Sequence, residues 1–198
     1  VLLFLTSSSV ILLGFSSGLD IIKFQHSSKP WTLCAIFENH QERMDYTSIV
    51  EQINVDQNRS CFKKPEQAEL EYLRSLNLPN EVLNFYCDYN PIDTIELNDI
   101  RLLPISEIIA ENTNYTPGYL LTPLGFCVIA STIEGDVYCI QNIVTDYKIV
   151  IASHDEIYEG QETEELLSAT KEVSINFIDF LNSFIEGKLV VSYYDLEK

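Results

Sequence analysis

Basic side chains are scarce in this sequence. Twelve lysines and arginines face 30 acids in 198 residues, for a formal net charge of −18. That balance excludes direct grip on the phosphates of a nucleic acid or on an anionic membrane face, since both need an excess of cations. Glycine is also scarce, at seven residues. None falls in a GxGxxG or Walker pattern, so no phosphate-cradling loop is encoded. The five cysteines (Cys34, Cys61, Cys87, Cys127, Cys139) are odd in number and form no CxxC pair. Structural zinc and a thioredoxin-like redox site therefore lack support. No nucleophile-elbow motif accompanies the three histidines, and no repeat of useful period is present. The sequence implies no cofactor, no metal and no catalytic residue.

What is abundant is apolar surface. Hydrophobic residues make up 46% and aromatics 11%, enough for a core and incompatible with wholesale disorder. The acids need either solvent or a basic partner, and composition leaves both readings open.

The charge is unevenly placed. Residues 1–43 hold three acids (Asp20, Glu38, Glu42) and three bases (Lys23, Lys29, Arg43). Of the totals of 30 and 12, that leaves 27 acids against nine bases for residues 44–198. Met44, the sole methionine, marks the break. Residues 1–19 are uncharged, but Thr6, Ser7, Ser8 and Ser9 interrupt the apolar run, and no basic n-region precedes it. Three readings of residues 1–43 stand: an export or anchor segment, a buried N-terminal element, or an extension outside the domain. The charge break favours the third. Residues 44–198 are then the domain, cytoplasmic unless 1–19 is a genuine anchor.

Residues 126–142 organise that domain. Two apolar arms, FCVIAST and VYCIQN, flank Ile133-Glu134-Gly135-Asp136, the pattern of a β-hairpin with glycine in the turn. Both arms are apolar on both sides, which predicts central strands covered on both faces. Cys127 and Cys139 lie on opposite arms and are read as buried, reduced thiols. Residues 147–152 predict a third core strand. Short strands are expected at 94–97 and 101–103, and a closing strand at 189–194.

Helices are predicted at 46–55, with Ile49, Val50 and Ile53 inward, and at 66–76 after Pro65, with the stripe Leu70, Leu73, Leu76. A third, opened by Pro79, carries Val82, Phe85, Tyr86 and Tyr89 at i, i+3, i+4, i+7, and a short one begins at Pro104. The last, capped by Ser174, presents Phe177, Phe180, Leu181 and Phe184 and stops before Gly187. Residues 112–123 read as a loop with Tyr115 and Tyr119 as candidate anchors, and 153–171 as a polar acidic segment. The fold class is α+β, with helices on a mostly antiparallel sheet.

The order of these pieces resembles the SUKH superfamily, which includes bacterial immunity proteins and a fungal regulator of cell-wall synthesis. The matching features are the helix opened by Leu78-Pro79, the strand ending in Leu97 and the LPISE run at 103–107. The Gly135-Asp136 turn and the Phe177, Phe180, Leu181 helix complete them. They span about residues 66–189. One departure is Pro91 after Asn90, where the family often has glycine. The resemblance implies a SUKH-like fold and a non-enzymatic module. Most often that is an immunity protein that neutralises a toxin, commonly a nuclease. An alternative within the resemblance is a scaffold or regulatory domain with another protein partner.

Nucleases are basic where they hold phosphate, so an acidic inhibitor gains a steered on-rate. The candidate partner-binding residues are Glu134 and Asp136 of the turn with Asp155, Glu156, Glu159, Glu162, Glu164 and Glu165 of the acidic segment. A small hydrolase using His154 or Cys87 is the remaining alternative. His154 beside Asp155 and Glu156 reads first as part of a solvated loop, because no second histidine stands at ligand spacing.

Overall fold

The computed structural model describes residues 46–143, 146–174 and 176–197. The readings for residues 1–43 lie outside it. In chain order, α1 (Thr47–Asp56) leads to the two-residue β1 (Phe62–Lys63), then α2 (Gln67–Ser75), α3 (Asn80–Asp88) and β2 (Asn90–Pro91). Next come β3 (Ile95–Leu97), β4 (Ile100–Leu102), α4 (Ile105–Asn114) and α5 (Gly118–Leu121). Then follow β5 (Phe126–Thr132), β6 (Val137–Ile143), β7 (Asp146–Ala152), α6 (Thr163–Ser168), β8 (Thr170–Ser174) and α7 (Phe177–Ile185). A 3-10 helix, Tyr193–Glu197, closes the chain.

The fold is α+β, as the patterning predicts. Strands β3 to β8 form one antiparallel sheet in sequence order, and β1 pairs with β2 in a separate ribbon. The predicted hairpin is its centre. Val137 to Ile140 of β6 are buried without alternation, as are Phe126 to Ala130 of β5, because helices cover the sheet: α4 and α5 pack on β5, and α7 packs on β7 and β8. Gly135 sits at φ +103°, a conformation that side chains with a Cβ adopt only with strain.

The helix stripes are inward as read, except that Leu70, Leu76 and Tyr89 are only half-buried. Ile49, Val50, Ile53, Leu73, Val82, Phe85, Tyr86, Phe177, Phe180, Leu181 and Phe184 are all buried. Phe85 is the hub of an aromatic cluster, edge-on to Tyr46 (5.2 Å), Tyr86 (5.3 Å) and Phe177 (5.3 Å). This joins α1, α3 and α7, and such contacts add about 1 kcal/mol each beyond their buried area.

Several elements differ from the sequence reading. Residues 189–194 form no strand; the chain there leads into the 3-10 helix instead. The 112–123 stretch is mostly helical, since α4 runs on to Asn114 and α5 follows. The acidic 153–171 segment contains α6 and the start of β8. Asn176, not Ser174, caps α7 by accepting the Asp179 N–H at 2.8 Å. Asn90 and Pro91 pair with Lys63 and Phe62, so the departure from the SUKH pattern falls in a ribbon rather than a free turn.

Candidate partner-binding face

Register places the predicted acids at one end of the sheet. Ile100 is opposite Thr132, Val137 opposite Ala152, and Ala152 opposite Thr170. The β5–β6 turn, the segment leaving β7 and the entry to β8 therefore emerge together. Glu134 is exposed in that turn, and Asp155, Glu159, Glu162, Glu164 and Glu165 are exposed in the segment between β7 and β8. Glu156 is half-buried beside them.

Asp136 is a correction. The sequence places it in the contact surface, yet it is 2% exposed. Its Oδ1 accepts the backbone N–H of His154 (3.0 Å) and lies 2.9 Å from His154 Nδ1, while Oδ2 accepts the N–H of Tyr193 (2.7 Å). A buried carboxylate with these bonds is a clasp. It holds the hairpin turn, the exit of β7 and the C-terminal 3-10 helix together, and no lone pair is left facing outward for a partner.

His154 follows from the same geometry. Its Nδ1 is on Asp136 and its Nε2 is 3.2 Å from Asp155 Oδ1, so both ring nitrogens face carboxylates. A Cβ on Gly135 would lie 3.2 Å from the ring. The histidine packs against the turn and keeps 39% of its side chain exposed, so it belongs to a solvated segment as read. Sequence spacing does not show its bond to Asp136, because the two are 18 residues apart and meet only through the β6–β7 register.

Other predicted acids have partners as well. Glu162 and Glu165 form a capping box on α6, with the Glu162 N–H donated to Glu165 Oε2 at 3.0 Å. Glu159 accepts the Tyr119 hydroxyl, a bond that raises the tyrosine pKa. Glu156 accepts the Tyr194 hydroxyl at 3.0 Å. A bond to Ser153 lowers the Tyr194 pKa, but the Glu156 bond, burial and the charges of Glu156 and Asp155 carry it above the ordinary value. Glu134 and Glu164 sit exposed at the same end.

Apolar side chains interrupt the acids. Tyr158 is 61% exposed, Ile133 45% and Tyr194 43%, with Leu167 and Leu196 also exposed. The sequence reading missed Tyr158 and Tyr194 as surface groups. The 189–194 run reads as a strand by composition, which would bury alternate residues, and an isolated tyrosine in an acidic segment carries no period.

Further polar groups tie elements together. The Glu81 carboxylate accepts the Tyr147 hydroxyl and the Ile178 N–H (3.0 Å), and the Tyr147 oxygen accepts the Phe177 N–H (2.8 Å). Two other elements thus satisfy the open amides of the first turn of α7. Burial, with the Glu81 bond, raises the Tyr147 pKa. Asn112 on α4 accepts the Val128 N–H (2.9 Å) and donates to the Val128 carbonyl (3.1 Å), acting on β5 as a strand neighbour would. Asn90 accepts the Ile105 N–H at 3.0 Å and so caps α4 from outside the helix.

The chemistry available is limited. Cys61, Cys87, Cys127 and Cys139 are free thiols. Burial pushes Cys127 up to about 12, despite a lowering bond from Asn112, and also raises Cys139. Such thiols carry almost no thiolate at neutral pH. Cys87, the candidate nucleophile of the hydrolase reading, is half-buried on α3. Among the described residues, no group of three or more His, Cys, Asp and Glu is placed to hold a metal ion. No helix among them is long and apolar enough to cross a membrane. A shallow cleft between α1 and α7, lined by Ser48, Ile49, Gln52, Asn182, Ile185 and Glu186, has a volume of about 170 Å³. Ligand pockets are usually larger, roughly 300–1,000 Å³.

No family model matches the chain, and no curated protein and no solved structure matches it.

Proposed function

We propose that the domain is a non-enzymatic SUKH-like binding module, an immunity protein that binds and neutralises a basic toxin, most fittingly a nuclease. The observation that carries this reading is the face at the β5–β6 end of the sheet. There Glu134, Asp155, Glu156, Glu159, Glu162, Glu164 and Glu165 share the turn and the β7–β8 segment with exposed Ile133 and Tyr158, and Glu156 bonds exposed Tyr194. Protein interfaces combine aromatic anchors with charge that steers the encounter. Two further acids, buried Asp136 and half-buried Glu81, are occupied within the fold. Asp136 and Glu81 are fully engaged in holding elements together. Free thiols at Cys61, Cys87, Cys127 and Cys139 suit a reducing compartment, which supports a cytoplasmic site of action as part of this reading.

The test is the on-rate toward the toxin encoded by the neighbouring reading frame, for wild type and for Glu162→Gln, Glu164→Gln, Glu165→Gln combined. Gln can replace Glu in a capping box, so folding is expected to stay intact. The on-rate is expected to fall about tenfold at low salt and the difference to shrink as salt rises. Equal and salt-insensitive on-rates would remove this face from the interface. A neighbouring frame encoding no toxin would favour the scaffold or regulatory form of the module.

A further inference from the structure

Within that proposed interface we infer that Tyr194 is the anchor, and that its occupant is an arginine side chain of the basic partner. This rests on the reading above and makes it specific. Carboxylates in water hold a cation weakly, so the acids alone do not define a site. The paired tyrosines add what is missing.

Tyr193 and Tyr194 are perpendicular, with centroids 5.4 Å apart. Tyr193 is fixed from several sides. Its N–H goes to Asp136 (2.7 Å), its hydroxyl to the Ser168 carbonyl (3.0 Å), and the Lys171 ammonium lies 3.8 Å from its ring centroid. One ring of the pair thus already carries a cation supplied by the chain itself. Tyr194 inherits the rigidity of its neighbour, and its own hydroxyl is tied to Glu156. It nevertheless remains 43% exposed.

The result is a pre-set aromatic ring with a carboxylate at its hydroxyl end and Asp155 one residue away. A guanidinium fits this chemistry better than an ammonium. It is planar, stacks on an aromatic face, is weakly hydrated and can bond a carboxylate at its edge at the same time. Pre-setting the ring spares the ordering cost that otherwise weakens a contact. Tyrosine and arginine are also the residue types that dominate binding hot spots.

The probes are hexaarginine and hexalysine peptides of equal charge, titrated into the 15N-labelled protein and followed by amide shifts. The largest shifts are expected at 133–136, 154–158 and 193–196, with hexaarginine bound at least about threefold tighter than hexalysine. Tyr194→Leu should erase that preference and leave hexalysine binding unchanged, whereas Tyr194→Phe should keep it because the ring remains. Glu156→Gln provides a second variant with the ring intact, and should reduce the preference. Equal affinity for the two peptides, a preference that survives Tyr194→Leu, or shifts centred elsewhere would overturn the inference. A toxin on-rate that falls in the triple Gln variant while no arginine preference exists would sink the anchor and leave the immunity reading standing. The reverse pair of results would sink the immunity reading and leave the anchor.

Discussion

Asp136→Asn separates a structural carboxylate from a contact residue. The substitution keeps the size of the side chain and removes its charge. Of the three N–H groups now directed at Asp136, the two from His154 converge on Oδ1 and the one from Tyr193 reaches Oδ2. An amide offers one oxygen. If that oxygen serves His154, the NH2 group faces the buried Tyr193 N–H, and two donors oppose each other. Hydrogen bonds to a charged group contribute about 1.5–3 kcal/mol each, and an orphaned buried donor costs a further 1–3 kcal/mol. Against this, the neutral amide escapes the desolvation cost of a buried charge. The net loss is placed at about 2–4 kcal/mol, a large share of the 5–15 kcal/mol typical of a domain. With a urea slope near 2 kcal/mol/M, the midpoint should fall by about 1–2 M at unchanged slope. Circular dichroism during urea titration reads this directly. The cycle of Asp136→Asn, His154→Ala and the double variant should give a coupling of about 1 kcal/mol, since the two side chains touch. A midpoint within about 0.2 M of wild type would refute the clasp and return Asp136 to the surface. Loss of binding to any partner in this variant would reflect a loosened face, so binding alone is the wrong assay.

Gly135→Val should cost about 1–3 kcal/mol, read as a lower thermal midpoint, because φ is +103° and the new Cβ would press on the His154 ring at 3.2 Å; an unchanged midpoint would mean the turn is not as described. Asn112→Ala should cost about 2–4 kcal/mol in the same assay, since it strips both the N–H and the carbonyl of Val128 of side-chain partners; a loss under about 0.5 kcal/mol would show that the strand does not depend on it. Stability should also fall at high pH. Burial raises Cys127 from 9.0 to about 12 and raises Cys139, Tyr86 and Tyr138 as well. Below pH 9 the Cys127 thiol is protonated in both states. Between 9 and about 12 the unfolded chain releases its proton and the folded chain keeps it, so the thiol favours unfolding by up to about 1.4 kcal/mol per pH unit. Urea midpoints from pH 8 to 11 test this, and Cys127→Ala should make the profile shallower while Cys139, Tyr86 and Tyr138 keep part of the slope; a profile flat in wild type would refute it.

Local signals carried most of the fold. Continuous apolar runs mark the hairpin and β7, and period-3.6 patterns mark the stripes of α1, α3 and α7, because each element buries its own side chains in the core. The glycine turn at 135 was legible for the same reason: its cause lies within four residues. What the sequence did not disclose are the long-range bonds. Asn112 reaches Val128 across 16 residues and Glu81 reaches Ile178 across 97. A lone asparagine or glutamate shows no period, so nothing local distinguishes a buried tie from a solvated polar residue. The candidate face was legible as charge density and mistaken in one member for that reason. Glu134 and Asp136 look alike in the sequence, yet the strand register carries one into solvent and the other beneath His154.

That division bears on how the acidity is used. An acidic protein of this size gains nothing in stability from like charges crowded at one end of its sheet, and such crowding weakens the compact state. Here the crowding is offset locally. Glu162 and Glu165 cap α6, Glu159 holds Tyr119 on α5, and Glu156 holds Tyr194. Each of these carboxylates accepts a hydrogen bond from the protein and still presents its charge to solvent. The bonds fix where the charge stands, and a fixed charge spends no entropy on being ordered when a partner arrives. Four of the acids that would steer a partner, Glu156, Glu159, Glu162 and Glu165, thus also hold the loop between β7 and β8 in place, while Asp136 fixes the loop to the rest of the sheet.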